Sequence, residues 1–196
     1  MSRGEAVLVT RWRSVVTGRK RFLDPAAIED AIAEVAELAR ESGVEVALIG
    51  GVAMELLGSD RMTSDVDFAC SGLLEHVQIR GSLSFGGVAV LTSRGHPVDL
   101  VVRNDAYAGL YEEALESAVL EPGLPVKVVL PRYLAAMKMA AGRDKDESDL
   151  KTLIRLGVVT FDDMVDVVRR HLGEYAVREL RGVFDEFAWL TAKGEG

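Results

Sequence analysis

Asp65 and Asp67 stand two residues apart in Ser64-Asp65-Val66-Asp67-Phe68-Ala69-Cys70. On or just before an extended strand, a period of two sends both carboxylates to one face, close enough to share a divalent cation. Hard oxygen donors select Mg²⁺ or Mn²⁺ over zinc. A third acid, Asp99, lies inside the apolar run Val98-Asp99-Leu100-Val101-Val102. It must be ion-paired, metal-bound or at the sheet's rim, because burying a bare carboxylate is costly. Two acids on one strand and a third on another form the donor set of two-metal phosphoryl transfer. The first two hold both ions against a triphosphate. The third orients and deprotonates an incoming hydroxyl while holding the second ion. Leu48-Ile49-Gly50-Gly51-Val52-Ala53 supplies a phosphate element. Gly50 and Gly51 let backbone N–H groups approach a ligand with no side chain in the way, and a helix start beyond them adds a positive dipole end.

These residues need a sheet to carry them. Val44–Ile49 reads as a buried strand that runs into Gly50-Gly51 and a short helix, Val52–Leu57. Val66–Cys70 reads as the next strand, followed by candidates at Val77–Arg80, Val88–Thr92 and Val98–Val102. Before them, Asp24 can cap a helix that has Pro25 in its first turn and a stripe of Ile28, Ile32, Val35 and Leu38/Ala39; Gly43 stops it. Asp105–Val119 reads as helix, and Val126–Leu130 as a short strand after the Pro122–Pro125 loop. From Pro131 the period is helical: Pro131–Ala141, Asp144–Leu156 closed by Gly157, and a Thr160/Asp163 capping box opening a helix to Leu172. Gly173 separates that from a last helix carrying Val177, Leu180, Phe184 and Phe187. The expected fold class is α+β, a mixed β-sheet with flanking helices and a C-terminal helical bundle. The expected division is a catalytic core over 1–130 and a packed bundle over 131–196 that does not fold independently.

The chain has 196 residues, 48% hydrophobic and 28% charged, which is the composition of a folded domain and not of a disordered one. No apolar run approaches the roughly 20 residues of a membrane span. The N-terminus shows no secretory pattern, and Cys70 stands alone, so a cytoplasmic protein without disulfides is expected. The net charge of −8 disfavours general nucleic-acid binding unless cations gather locally, as in the basic run Arg11-Trp12-Arg13 through Arg19-Lys20-Arg21.

Gly50-Gly51, thirteen intervening residues, Asp65-Val66-Asp67 and then Asp99 in an apolar strand resemble the nucleotidyltransferase (DNA polymerase β-like) superfamily. Downstream, Pro131-Arg132-Tyr133-Leu134-Ala135-Ala136-Met137-Lys138 and Arg143-Asp144-Lys145-Asp146-Glu147-Ser148-Asp149-Leu150 resemble the AbiEii-type and MenA-like toxin nucleotidyltransferases of toxin–antitoxin pairs. The likeness spans residues 44–156. It implies an Mg²⁺- or Mn²⁺-dependent enzyme that transfers an NMP from an NTP such as ATP to an acceptor hydroxyl. Asp65, Asp67 and Asp99 would be its metal ligands, and Gly50 and Gly51 its phosphate-binding pair. The resemblance also implies that Lys138 contacts the triphosphate, that Arg61 does so from the glycine-side loop, and that Thr63 or Ser64 donates to phosphate. Asp146 or Asp149 would position Lys138 or the nucleotide; spacing does not separate the two. The implied acceptor is RNA, a tRNA 3′ end or a protein, with an antitoxin protein as a partner.

Two other readings stay open: a nucleotidyltransferase for a cationic, aminoglycoside-like small molecule, which the acidic surface suits, and a non-catalytic nucleotide- or partner-binding module. Bland roles also remain for single residues. Lys138 can snorkel from an apolar helix, and Asp144–Lys151 can be a solvated, ion-paired face. Tyr107 and Tyr111, four apart on one helix face, fit packing better than base stacking. His76, His96 and His171 share no metal spacing, although His96 enters the Asp99 strand. Cys70 fits a small buried apolar residue.

Overall fold

The computed structural model describes residues 22–193; the basic run up to Arg21 and the Val7-Leu8-Val9 segment lie outside the described residues. Helix α1 (Pro25–Ser42) starts where the Asp24 carboxylate accepts the Ala27 N–H at 2.9 Å, and ends at Gly43, whose φ of 65° only glycine adopts readily. Its Ala31, Ile32, Val35 and Ala39 are buried, while Ile28 and Leu38 are partly covered.

Strand β1 (Val46–Ile49), buried at all four positions, runs directly into the seven-residue helix α2 (Gly50–Leu56). Four strands follow: β2 (Val66–Cys70), β3 (Gln78–Ser82), β4 (Val88–Leu91) and β5 (Pro97–Val101). Helix α3 (Ala108–Ser117) precedes two short strands, β6 (Val119–Leu120) and β7 (Lys127–Val128). Helices α4 (Pro131–Ala141), α5 (Asp144–Arg155) and α6 (Phe161–Ala192) complete the described chain. The seven strands form one mixed sheet in the order β3-β4-β5-β2-β1-β7-β6. The central pairs are β1 with β2, antiparallel, and β2 with β5, parallel.

The expected α+β architecture is the observed one: a mixed sheet, flanking helices and a helical C-terminal part. Most element bounds shift by one or two residues, and the differences after β5 are the ones that change the architecture. The helix expected over Asp105–Val119 is shorter, because Asp105 is held by Arg103 (2.6 and 3.0 Å) before it and Ala118 turns extended after it. Val119–Leu120 then pairs antiparallel with β7 as an unexpected edge strand. The strand expected over Val126–Leu130 narrows to Lys127–Val128, although Val129 N–H still donates to Leu48 O at 3.2 Å.

Phe68, Leu48 and Leu100 fill the sheet core with no exposure, and Leu134, Leu153, Met164 and Leu180 extend it through the C-terminal helices. Thr160 and Asp163 form the expected capping box, and α6 bends at Gly173 (φ 86°, ψ 175°) where the sequence separates two helices. Glu113 on α3 ties the helices together. Its carboxylate accepts from Tyr133 Oη at 2.8 Å on α4 and pairs with Arg170 and His171 on α6. Among the described residues no helix is long and apolar enough to cross a membrane.

Candidate functional site

Register brings the sequence's acids to one level. Ile49 at the end of β1 faces Asp67 on β2, and Asp67 faces Asp99 on β5. Gly50 therefore follows Ile49 directly beside Asp67. Its φ is +63°, and a Cβ there would lie 1.9 Å from Asp67 Oδ2. A Cβ on Gly51 would lie 2.6 Å from Thr63 Oγ1, and the Gly51 N–H points at Asp67 Oδ2 at 3.4 Å. With only seven residues in α2, the glycines' contribution is close backbone approach more than a long helix's end field.

Asp65, Asp67 and Asp99 line one cleft of about 170 Å³. Burial pushes the Asp67 carboxyl up to about 7, and the neighbouring Asp65 and Asp99 charges push the same way; Lys138 and the Gly51 amide oppose them. Among the described residues, no three His, Cys, Asp or Glu side chains are gathered closely enough to hold a metal ion as they stand. The donor chemistry itself, three carboxylates on neighbouring strands and loops, suits a hard divalent cation.

The facing wall is cationic. Lys138, buried on α4, puts its Nζ 2.6 Å from Asp149 Oδ2 and 3.3 Å from Asp146 Oδ1. Arg61 pairs with Asp149 from the loop before β2, and Arg143 pairs with Asp146 through Nε and, at 3.2 Å, through Nη2. Asp146 and Asp149 lie one helical turn apart on α5, on the same face, so both hold Lys138. Burial pushes the Asp146 carboxyl up, but the Arg143 hydrogen bonds and the Lys138 and Arg143 charges outweigh it and hold it below the usual range. Lys145 completes this wall; burial and then the Arg143 charge push its ammonium below the usual lysine range.

A third wall is aromatic. Phe85 and Tyr111 also line the cleft. Burial pushes the Tyr111 phenol up to about 12, so it stays protonated.

Gly50, Gly51, Arg61, Asp65, Asp67, Asp99, Lys138 and Asp146 thus meet in the cleft. Thr63, Ser64 and Asp149 do not line it. The Thr63 hydroxyl donates to Asp65 O at 2.8 Å and so shapes the loop, while Asp149 is buried and pairs with Lys138 and Arg61. Phe85, Tyr111, Arg143 and Lys145 were not assigned from sequence; Arg143 and Lys145 flank Asp144 within the quoted Arg-Asp segment, a usable signal. His96 turns to α1, 3.9 Å from Asp30, and takes no part in the cleft. Cys70 is buried, as its sequence context implies.

No protein-family model matches the sequence, and no curated protein does. Solved structures do. An antigenic nucleotidyltransferase-like protein from Paracoccidioides brasiliensis superimposes with a TM-score of 0.50 at 18% identity, covering 88% of this chain and 94% of that one. The antibiotic-resistance factor ANT(2'')-Ia gives 0.45 at 15% identity over 88% and 98%. A tRNA-processing enzyme gives 0.32 at 18% identity over 83% and 58%. The chain has a nucleotidyltransferase-like fold, and likeness at this identity extends to the fold alone.

Proposed function

We propose that the protein is a metal-dependent nucleotidyltransferase that moves an NMP from an NTP to an acceptor hydroxyl. One observation carries the reading. A single cleft sets Asp67, level with Asp99 and pressed against Gly50, opposite the buried Lys138 and its arginine neighbours. Carboxylates facing cations across so small a space suit a metal–triphosphate substrate, which presents charge of both signs.

Asp65, Asp67 and Asp99 would hold the ion. When bound, Mg²⁺ or Mn²⁺ would offset triphosphate charge and activate the attacking oxygen. The Gly50–Gly51 backbone lets the phosphates come close. Asp99 takes the acceptor hydroxyl's proton as its oxygen bonds to the α-phosphorus. The bond from that phosphorus to the bridging oxygen breaks, and pyrophosphate leaves. Arg61, Lys138, Arg143 and Lys145 stabilise the charge that builds on it. Lys138 stands in α4, so the proposed 1–130 core and 131–196 bundle build one site together and are not independent.

The resemblance of residues 131–150 supports a finer reading: a cytoplasmic enzyme of the toxin–antitoxin kind, with RNA, a tRNA 3′ end or a protein as acceptor. The test is incubation with Mg²⁺ and each α-labelled NTP, with and without cellular RNA, beside Asp67→Ala. Label on RNA or protein that the substitution abolishes supports the proposal. Binding of NTP without transfer to any acceptor refutes it.

A further inference from the structure

Resting on that transferase reading, we propose that Phe85 and Tyr111 form a stacking platform for a planar nucleobase at the acceptor's end, so that the acceptor is a nucleoside or nucleic-acid terminus. Among the residues lining the cleft, Arg61 and Lys138 suit a triphosphate. The acceptor must reach Asp99, and both rings stand by the end of Asp99's own strand: the Phe85 turn packs on the end of β5, and Tyr111 shares Arg103 with Phe85.

Both rings are set in advance. Phe85 sits at the tip of the β3–β4 turn, which Leu83 N–H to Gly87 O (3.0 Å) and Gly86 N–H to Leu83 O (3.2 Å) close. Gly86 and Gly87 follow at φ +102° and +93°, and a Cβ on Gly87 would lie 2.0 Å from Leu100 O, so the turn lies flat on the end of β5. Tyr111 comes from the other direction, on α3.

Arg103 ties the two together. Its guanidinium carbon stands 5.9 Å from the Phe85 ring centroid, 5.4 Å from that of Tyr111 and 5.1 Å from that of Tyr107. Asp105 clamps it through two hydrogen bonds, and its side chain is only 10% exposed. Arg103 lines the cavity behind Tyr111 and does not line the cleft. The rings therefore spend their cation attraction on a guanidinium at their back. A cationic acceptor gains little from such rings, whereas a neutral base needs only their flat, polarisable faces.

The test uses the full chain, saturating NTP and Mg²⁺, and two short oligoribonucleotides that differ only at the 3′ terminus. One ends in an intact nucleotide and the other in an abasic ribose that keeps its hydroxyls. The wild type should favour the intact end by roughly ten- to hundredfold in kcat/KM. Tyr111→Phe should keep that preference. Phe85→Leu combined with Tyr111→Leu should lose it, and an unchanged far-UV circular dichroism spectrum shows that the variant is folded.

Binding of an oligoribonucleotide with 2-aminopurine at its 3′ end gives a readout independent of turnover, since stacking quenches its fluorescence. Quenching in the wild type and not in the double variant, with no transfer to any acceptor, supports the platform while removing the transferase reading. Equal use of intact and abasic ends, a preference that survives the double substitution, or transfer only to a protein or an amino sugar overturns the platform and leaves the transferase reading standing.

Discussion

A Cβ on Gly50 would fall 1.9 Å from Asp67 Oδ2, 2.5 Å from its Cγ and 2.7 Å from its Cβ. Backbone and carboxylate are thus in direct contact at the point where β1 ends, and the phosphate-binding glycine and the middle acid of the proposed metal-binding set are one packed unit. Gly50→Ala should therefore cost about 1–2 kcal/mol from the left-handed backbone alone, with the collision added to that. Asp67→Ala removes the two nearest colliding atoms, so the penalty of Gly50→Ala should shrink in that background without vanishing. Denaturant midpoints of the four proteins measure it; a penalty unchanged by Asp67→Ala would mean that the contact does not govern this position.

The three carboxylates on the cleft floor repel one another, and a bound cation relieves that repulsion. Adding Mg²⁺ or Mn²⁺ should raise the wild type's Tm in proportion to the logarithm of metal concentration above Kd. Asp67→Asn should be at least as stable as the wild type without metal, should show little metal-dependent rise, and should lose roughly a hundredfold or more in transfer rate. Thermal unfolding with and without chelator reads the first two effects. A variant that still responds fully to metal would remove Asp67 from the ligand set.

Asp67 and Asp99 were legible as candidates because each is an acid in a short apolar strand, where a carboxylate needs a reason to be; that they sit level came from the strand register. Gly50-Gly51 was legible because a strand ending in two glycines signals close approach. Phe85 was not, since Ser84-Phe85-Gly86-Gly87 reads as a turn and a turn residue's ring has no periodicity to place it. Tyr111 was hidden differently: spaced four from Tyr107 on a helix it reads as packing, and only the fold shows that one ring also faces the cleft. Asp146 and Asp149 were indistinguishable by spacing because one helical turn puts both on the same face, and the structure uses both. For Thr63 or Ser64 the resemblance implied a phosphate donor; the contact the loop gives the Thr63 hydroxyl, a hydrogen bond to Asp65 O, has no sequence signal. Residue type announces chemistry better than it announces which neighbour claims it.

Glu113 supplies a pH-dependent tie between α3, α4 and α6. Burial pushes its carboxyl up, but the hydrogen bonds from His171 and Tyr133 and the Arg170 charge win, and its folded value is depressed. A depressed acid adds stability above its unfolded value, about 4.3, and loses it as pH falls through the folded value. Glu113→Gln should be less stable than the wild type at neutral pH, and the gap should close as pH drops below about 4. Urea midpoints across pH measure the closure; a gap independent of pH would mean the tie is steric.

Stability and activity should separate in the Lys138 network. Asp149→Ala leaves Lys138 with Asp146 alone and strips Arg61 of its partner, where Asp149 and Lys138 are 5% and 8% exposed, a defect that costs about 1–3 kcal/mol. Lys138→Met is milder, because Asp149 keeps Arg61 and Asp146 keeps Arg143, and the methionine fills the stem's volume. For transfer the order reverses among folded proteins. Lys138→Met removes a charge facing the leaving pyrophosphate and should lower kcat by roughly 10²- to 10³-fold, whereas Asp149→Ala, compared below its unfolding transition, keeps the ammonium and loses only its aim. Measuring denaturant midpoints and single-turnover rates on the same two variants tests both orders together. If Asp149→Ala matches Lys138→Met in rate while remaining as stable as wild type, Asp149 touches the substrate itself and is more than a positioning residue.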